Sequence, residues 1–469
     1  MSRIIVAGGG VIGLATALML EKQGHEVTVL ERDPAPPPGT SARAWECWNR
    51  TGVMQFRQPH IVQPRGWQIL RTQLPEVGLA LAEADAVACS PLSVMPAGIT
   101  DQAPRPGDEK FETLNARRPV LEHAIAATAD SRIDIRRGVQ VTGLLSDRPG
   151  HVAGVRIWPG QELKADLVID ATGRRSALPA WLTAIGAAGP ADETGDSGFT
   201  YYTRFFRARE NEEPPPFKTP ILTAFDSYSV LTIPSDAKTW SVTVCITSRD
   251  HALKALREEG NWSRLLSASP LYAHLVTGQD AITGVRAASG AGDRLRSLVV
   301  NGVPAATGIL AVGDSWAFTT PSLGRGVTLG LMQAEVTADA VSEHLMDPVA
   351  LALAHDRLTR DRVLPWYRNT TQLDQSRFAR ITAAIEGRVP APAGKPADPA
   401  AALLRKLVVG MQWDPDMFRA FAEMTAVLAL PAEILARPGM ANRINEAAAG
   451  HQPFVPPGPR RAEVLAMLS

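Results

Sequence analysis

Ile4-Ile5-Val6-Ala7-Gly8-Gly9-Gly10-Val11-Ile12-Gly13, continued by Leu14 to Gln23 and then Glu26-Val27-Thr28-Val29-Leu30-Glu31, decides how this chain is read. The apolar run from Ile4 to Ala7 has the character of a buried strand. Gly8, Gly10 and Gly13 then satisfy a G-x-G-x-x-G spacing in the turn that leads into a helix over Leu14 to Gln23, closed by Gly24. Glu26 to Leu30 reads as a second strand, which completes a strand-helix-strand unit of the parallel-sheet type. In such a unit the first glycine permits a tight turn, the second lets the backbone approach a pyrophosphate, and the third lets the helix pack close to the sheet.

Glu31 ends the second strand eighteen residues beyond Gly13, where a carboxylate accepts the hydroxyls of an adenosine ribose. An acid there favours an unphosphorylated ribose, as in FAD or NAD. The competing reading is a flexible glycine turn followed by a surface glutamate, and the fingerprint alone does not separate FAD from NAD.

Outward from this unit, Asp33 to Gly39 carries four prolines and is expected to be a surface connection, because proline fixes φ and lacks an amide donor. Helices are expected over Ser41 to Thr51, Trp67 to Asp85 and residues 119–130, the last opening on a proline where a missing N–H costs nothing. Short alternating runs at Ile133 to Ile135, Val139 to Leu145, Val152 to Trp158 and Leu163 to Val168 read as an antiparallel insertion. Tyr201 to Phe206, Tyr228 to Ile233 and Trp240 to Ile246 read as strands of a second lobe, with one helix near Ala252 to Leu266. After Gly313 the pattern is largely helical, apart from a Pro/Ala/Gly stretch over 389–400 that reads as a linker. The expected class is α/β with α+β mixing: a Rossmann-like FAD-binding domain (1–80, 111–178 and 296–345), an interleaved β-sheet substrate domain (81–110 and 179–295) and a helical C-terminal region (346–469).

Two later motifs separate the cofactors. Asp166-Leu167-Val168-Ile169-Asp170-Ala171-Thr172-Gly173-Arg174-Arg175-Ser176 is an apolar strand running into a glycine turn. Ile309-Leu310-Ala311-Val312-Gly313-Asp314 is another, followed by Pro321-Ser322-Leu323-Gly324-Arg325-Gly326 and a helix. Turn glycines at that helix start would place amides where phosphate or a flavin ring edge could rest, and Asp314 could accept a ribityl hydroxyl. Each turn alone is also an ordinary strand-to-helix connection; three in this order point to one site.

On these motifs the chain resembles the FAD-dependent monooxygenases of the aromatic hydroxylase, squalene-epoxidase-like and flavin-halogenase superfamily over about Ile4 to Gly330. The resemblance implies that Gly8, Gly10, Gly13 and Glu31 hold the ADP moiety, that Gly313 and Asp314 hold the ribityl and pyrophosphate region, and that Pro321, Gly324 and Gly326 border the isoalloxazine ring. It further implies phosphate or flavin contacts for Arg43 and for Arg117 or Arg118. Asp170-Ala171-Thr172-Gly173 replaces the Gly-Ala-Asp-Gly of hydroxylases reduced directly by NADPH, so either NAD(P)H or a separate flavin reductase is the expected electron source. The Trp-x-Trp-x-Ile/Pro segment of flavin halogenases is missing, and Trp45-Glu46-Cys47-Trp48 does not replace it. Gly52-Val53-Met54-Gln55-Phe56-Arg57-Gln58-Pro59-His60 is similar to a segment of the epoxidase-like members.

The implied activity is insertion of one oxygen atom from O2 into an apolar or aromatic/alkene small molecule through a flavin C4a-hydroperoxide, in natural-product metabolism. An oxidase, dehydrogenase or reductase is the alternative, with a halogenase or a non-catalytic flavin binder behind it. Arg57 and His60 are the candidate catalytic residues, although a lone loop histidine is more often a structural hydrogen-bonder. Tyr201, Phe225, Tyr228 and Trp240 are the candidate substrate contacts, although an aromatic on a strand is usually core.

Composition bounds the remaining classes. Lys plus Arg and Asp plus Glu each number 48, so no global field draws the chain to nucleic acid or an anionic membrane. Cys47, Cys89 and Cys245 have neither CxxC nor Cys/His spacing, so neither a disulfide framework nor a metal site is expected. The opening residues lack the pattern of a secretory peptide and no apolar run has the length of a membrane span, so a cytoplasmic location is expected.

Overall fold

The computed structural model describes residues 1–53, 55–195, 198–289, 292–388 and 398–469. At its centre lies a five-stranded parallel sheet of β1 (Arg3–Ala7), β2 (Glu26–Glu31), β3 (Asp134–Arg137), β4 (Leu167–Asp170) and β5 (Ile309–Ala311), in the order β5-β4-β1-β2-β3. Side chains of β1 alternate between two cores, as the two-residue period of a strand requires. Ile4 and Val6 pack with α1 (Val11–Lys22), α2 (Arg118–Asp130) and α3 (Gly326–His344) on one face. Ile5 and Ala7 pack on the other face against Val152 and Val155 of a three-stranded antiparallel layer, Val141–Arg148, His151–Ile157 and Gln161–Lys164. Burial on both faces explains why these strands read as continuous apolar runs.

Several expected elements differ. The helix expected to run to Thr51 ends at Cys47, because Trp48 turns extended and buries its ring while Arg50 turns inward. The helix expected over Trp67 to Asp85 is two, Pro64–Gln73 and Pro75–Glu83, since a residue before proline is driven out of the helical region and Leu74 sits at φ −134°, ψ 59°. Two of the four runs assigned to the antiparallel insertion belong partly or wholly to the parallel sheet: Asp134–Arg137 pairs with β2, and Leu167–Asp170 lies between β1 and β5. The helix near 252–266 is a 3-10 turn, Ala252–Arg257, and a helix, Glu259–Ser267, separated by extended Glu258.

The second sheet is built on Tyr228–Ser235, Thr239–Thr247 and Phe199–Arg207, edged by Leu222–Ala224, Asp280–Ala281 and Arg286–Ser289. Its Tyr228–Thr239 hairpin docks on the start of α2: Arg117 donates through its backbone N–H and guanidinium to Asp236, and the Asn115 amide donates to the Pro234 carbonyl. Helices α4 (Pro348–Arg362) and α5 (Leu364–Ile385) follow α3. Most of the expected linker, 389–397, lies outside the described residues; from Asp398, which caps Pro399–Gly410, the chain is helical again. Met417, Phe418 and Ile444 of this last part bury Ile99, while Val464 near the C-terminus packs back on the second sheet. Among the described residues no helix is long and apolar enough to cross a membrane.

Candidate functional site

A cleft of about 360 Å³ runs along the C-terminal ends of β1, β2, β4 and β5. Parallel sheets place ligands at this edge because helix N-termini converge there. The sequence-predicted Gly8, Gly10, Gly13, Glu31, Arg118, Gly313, Asp314, Pro321, Gly324, Gly326 and His60 all line it.

The glycine turn is shaped by close approach. Gly8 holds φ +111°, and a Cβ there would lie 2.3 Å from the Ala171 carbonyl oxygen; at Gly13 it would lie 2.0 Å from the Gly8 carbonyl oxygen. Gly10, Gly173 and Gly326 are different: an added Cβ meets no protein atom within 4 Å, although all three line the cleft. These walls are bare backbone facing space that a ligand can fill. Both α1 and α3 begin without a side-chain cap and without an acid in the first turn, which leaves amide donors and the positive end of each helix for anionic phosphate at α1 and for phosphate or a flavin ring edge at α3. The residues present therefore fit FAD.

Glu31 is held rather than free. Its Oε2 accepts from the Gly9 amide at 2.7 Å and from Arg50 Nη2 at 2.8 Å, while Oε1 accepts from the Asp33 amide at 2.8 Å. A carboxylate oxygen accepts two bonds, so Oε1 keeps one lone pair for a ribose hydroxyl. Arg50, which the sequence reading missed, is the centre of this network. Only 8% exposed, it pairs with Glu31, with Asp33 at 3.1 Å and with Glu122 at 3.0 Å, and it donates to the Gly9 carbonyl at 3.2 Å. Glu122 also pairs with Arg118 at 2.7 Å, so Arg118 faces the cleft from a fixed position. Arg117, the other arginine weighed for this role, is committed to Asp236. Arg43 is exposed on the helix Ser41–Cys47 and lies outside the cleft lining.

The middle and late motifs meet at a second hub, Asp170. This buried carboxylate accepts from the Thr172 amide and hydroxyl, from Ser176 at 2.5 Å and from Ser315 at 3.2 Å, joining the turn after β4 to the turn after β5. Gln333 of α3 accepts from the Gly313 amide at 2.7 Å and donates to the Ala311 carbonyl at 3.3 Å. Asp314 turns its carboxylate into the cleft, where the surrounding protein pushes its pKa up against the lowering charges of Arg174, Arg118 and Arg294.

At the far end, Pro59, His60, Phe318, Thr319, Pro321 and Tyr367 line the cleft. His60 Nδ1 lies 2.9 Å from the Gln58 carbonyl oxygen, which can only accept, so the proton sits on Nδ1 and Nε2 is left as an acceptor. Burial, then the charge of Arg118, push the His60 pKa down to about 3. Arg57 does not reach the cleft. Its guanidinium donates to the Trp45 and Trp48 carbonyls and packs on the Trp45 and Phe56 rings, which pins the segment leading to His60.

Strand sidedness sorts the aromatic candidates. Tyr201 stands opposite Cys245, which stands opposite Ser229, on the face that packs on α5 through Ile381 and Phe378. Thr203, one step along this face, donates to Gln58 Oε1 at 3.1 Å and so touches the His60 segment. Tyr228 and Trp240 lie on the opposite face with Phe225, packed among Trp262, Leu266 and Tyr272. Those three build core, Tyr201 packs with Phe199, Leu231 and Ile381, and none of the four lines the cleft.

Residues 3–78 match the FAD dependent oxidoreductase (DAO) family. Protein Rv3254 of Mycobacterium tuberculosis is 31% identical over 223 residues, 43% of this chain and 44% of that protein. The chain thus spans less than half the length of the curated relatives it matches. In fold it is similar to PqsL, a probable FAD-dependent monooxygenase from Pseudomonas aeruginosa, with a TM-score of 0.59 and 16% identity over 81% of this chain and 99% of that one. The flavin-dependent brominase Bmp2 is similar to the same degree, with a TM-score of 0.59 and 17% identity over 90% of this chain and 98% of that one. The chain shares the fold of these two structures.

Proposed function

We propose that this chain is an FAD-dependent monooxygenase that places one atom of O2 on an electron-rich small molecule, an aromatic ring or an alkene, by hydroxylation or epoxidation. What carries the reading is a single cleft that joins the glycine fingerprint, Glu31, Asp314 and the Pro321–Gly326 turn, with a second sheet anchored beside its far end by Arg117 and Asp236. Substrate, O2, two electrons and two protons give the oxygenated product and water; the electrons come from NAD(P)H or from a partner reductase. Reduced flavin supplies the activation of O2. The chain's own residues bind and orient: the start of α1 holds phosphate, the start of α3 lies along the ring edge, Glu31 and Asp314 take sugar hydroxyls, and the far end of the cleft keeps water from the reacting atoms.

His60 enters this reading as a neutral hydrogen-bond acceptor, not as a proton donor. With its pKa at about 3 it stays uncharged at pH 5 and above, so its replacement by Gln is expected to leave the shape of the rate-pH profile between pH 5 and 9 unchanged. The same shift has a stability consequence. His60, and His355 at about 4, bind protons more readily when unfolded, where histidine titrates near its ordinary 6.5. Their contribution is full above pH 6.5 and is lost as pH falls from 6.5 toward 4 and then 3. Thermal midpoints should fall across that window, and His355→Gln should flatten the fall.

Turnover under labelled oxygen tests the activity. With a panel of phenols, naphthols and polyenes, the product is expected to gain one labelled atom from O2. A product oxidised without label would assign the cleft to oxidase or dehydrogenase chemistry, and halide incorporation would assign it to halogenation.

A further inference from the structure

The loop from Thr320 to Arg325, which borders the ring end of the cleft, is held largely by α5, a helix of the C-terminal region. Thr320 Oγ1 donates to Asp374 Oδ2 at 2.5 Å and Ser322 Oγ donates to Asp374 Oδ1 at 2.5 Å, so one carboxylate of α5 grips both sides of Pro321. Asp374 is 1% exposed and Arg377, one turn on, sits 3.6 Å away as its partial counter-charge. One turn earlier on the same helix face, Asn369 and Thr370 accept from Arg325 at 2.8 and 3.1 Å, and Arg325 also donates to the Met424 carbonyl at 2.6 Å. The Gln63 amide adds a bond to the Leu323 carbonyl, and Asp293 accepts from the Thr320 amide. Pro321 and Gly324 themselves line the cleft. Residues four apart on a helix share a face, so α5 presents Thr370 and Asp374 together to this loop.

We propose that α5 is a positioning element for the flavin ring, and that Asp374 is the positioning residue through which it acts, by fixing the Pro321 turn in register with the cleft. The carboxylate geometry suits this task. Two hydroxyls bound by one buried carboxyl group cannot move independently, and each would be left a buried donor without this partner. The loop's position is therefore set by a segment that the glycine fingerprint and the Gly-Asp motif do not contain. This inference rests on the assignment of the cleft to FAD.

The test compares wild type with Asp374→Leu, Asp374→Asn and the loop-side double variant Thr320→Val/Ser322→Ala. FAD affinity is measured by fluorescence titration, and the visible absorption and reduction potential of the bound flavin are recorded. Asp374→Leu and the double variant are each expected to weaken FAD binding by about tenfold, the order set by losing such bonds. Both should move the bound flavin's bands and potential toward those of free FAD. Asp374→Asn, which keeps one acceptor, should fall between. Combining Asp374→Leu with the double variant should add little, because both remove the same contacts. If Asp374→Leu does not fold, the double variant decides alone. Unchanged affinity, bands and potential in the variants, or additive effects, would overturn the proposal while leaving the FAD assignment intact. A wild type that takes up no flavin removes that assignment and the proposal with it.

Discussion

Gly13→Val is expected to yield a protein that takes up no FAD at micromolar concentration. A Cβ at this position falls 2.0 Å from the Gly8 carbonyl oxygen and 3.1 Å from the Ala171 Cβ, and the first of these is backbone that no rotamer change can move aside. The start of α1 must then lift from β1, which misplaces the amide donors at its N-terminus and opens the sheet edge. We expect a loss of at least about a hundredfold in affinity, or roughly 2.7 kcal/mol, together with a lowered thermal midpoint. Gly10→Ala is the informative companion. Its Cβ meets no protein atom within 4 Å but enters the cleft, so this variant should keep the wild-type thermal midpoint and lose affinity alone. Equal FAD binding by Gly10→Ala and wild type would place the cofactor elsewhere.

Arg50→Met carries the second large effect. The guanidinium spends Nε on Asp33, Nη1 on Glu122 and the Gly9 carbonyl, and Nη2 on Glu31 and the same carbonyl. Removing it leaves three acidic side chains, each at most 10% exposed, close to one another, and only Glu122 keeps an arginine partner, Arg118. Breaking a buried pair typically costs about 3–5 kcal/mol, and here one arginine serves three partners. We expect a destabilised protein that recovers little flavin affinity even where it folds, because Glu31 loses the contact that orients it. Arg50→Lys should not rescue either property, since an ammonium cannot reproduce donors fixed in a planar fork. Denaturant unfolding with and without FAD separates the two losses. A lysine variant matching wild type in both would show that only charge, not geometry, is required.

The central unit of the fold was readable because Ile4 to Glu31 satisfies several local rules at once: buried strand, glycine turn, helix and terminal acid. The spacing of three glycine turns along the chain likewise pointed to one site, and the structure gathers them in one cleft. Arg50 carried no such signal. It lies among 48 basic residues, in a segment whose pattern suggested a helix, and only the fold brings it beside Glu31, Asp33 and Glu122. Strand sidedness failed for a related reason. Phe199 to Phe206 and Trp240 to Ile246 are buried on both faces, so alternation gives no sign of what each face packs on, and neither Tyr201 nor Trp240 lines the cleft. The same two-sided burial hid that Leu167–Asp170 is a central parallel strand. Asp374 lies farthest from any motif, and its role is visible only through the hydroxyls of Thr320 and Ser322.

Equilibrium titration of purified, flavin-free protein with FAD tests the account most directly. Saturation at one FAD per chain, with quenched flavin fluorescence and a raised thermal midpoint, is the predicted result. Well-folded protein that leaves added FAD free in solution would contradict it.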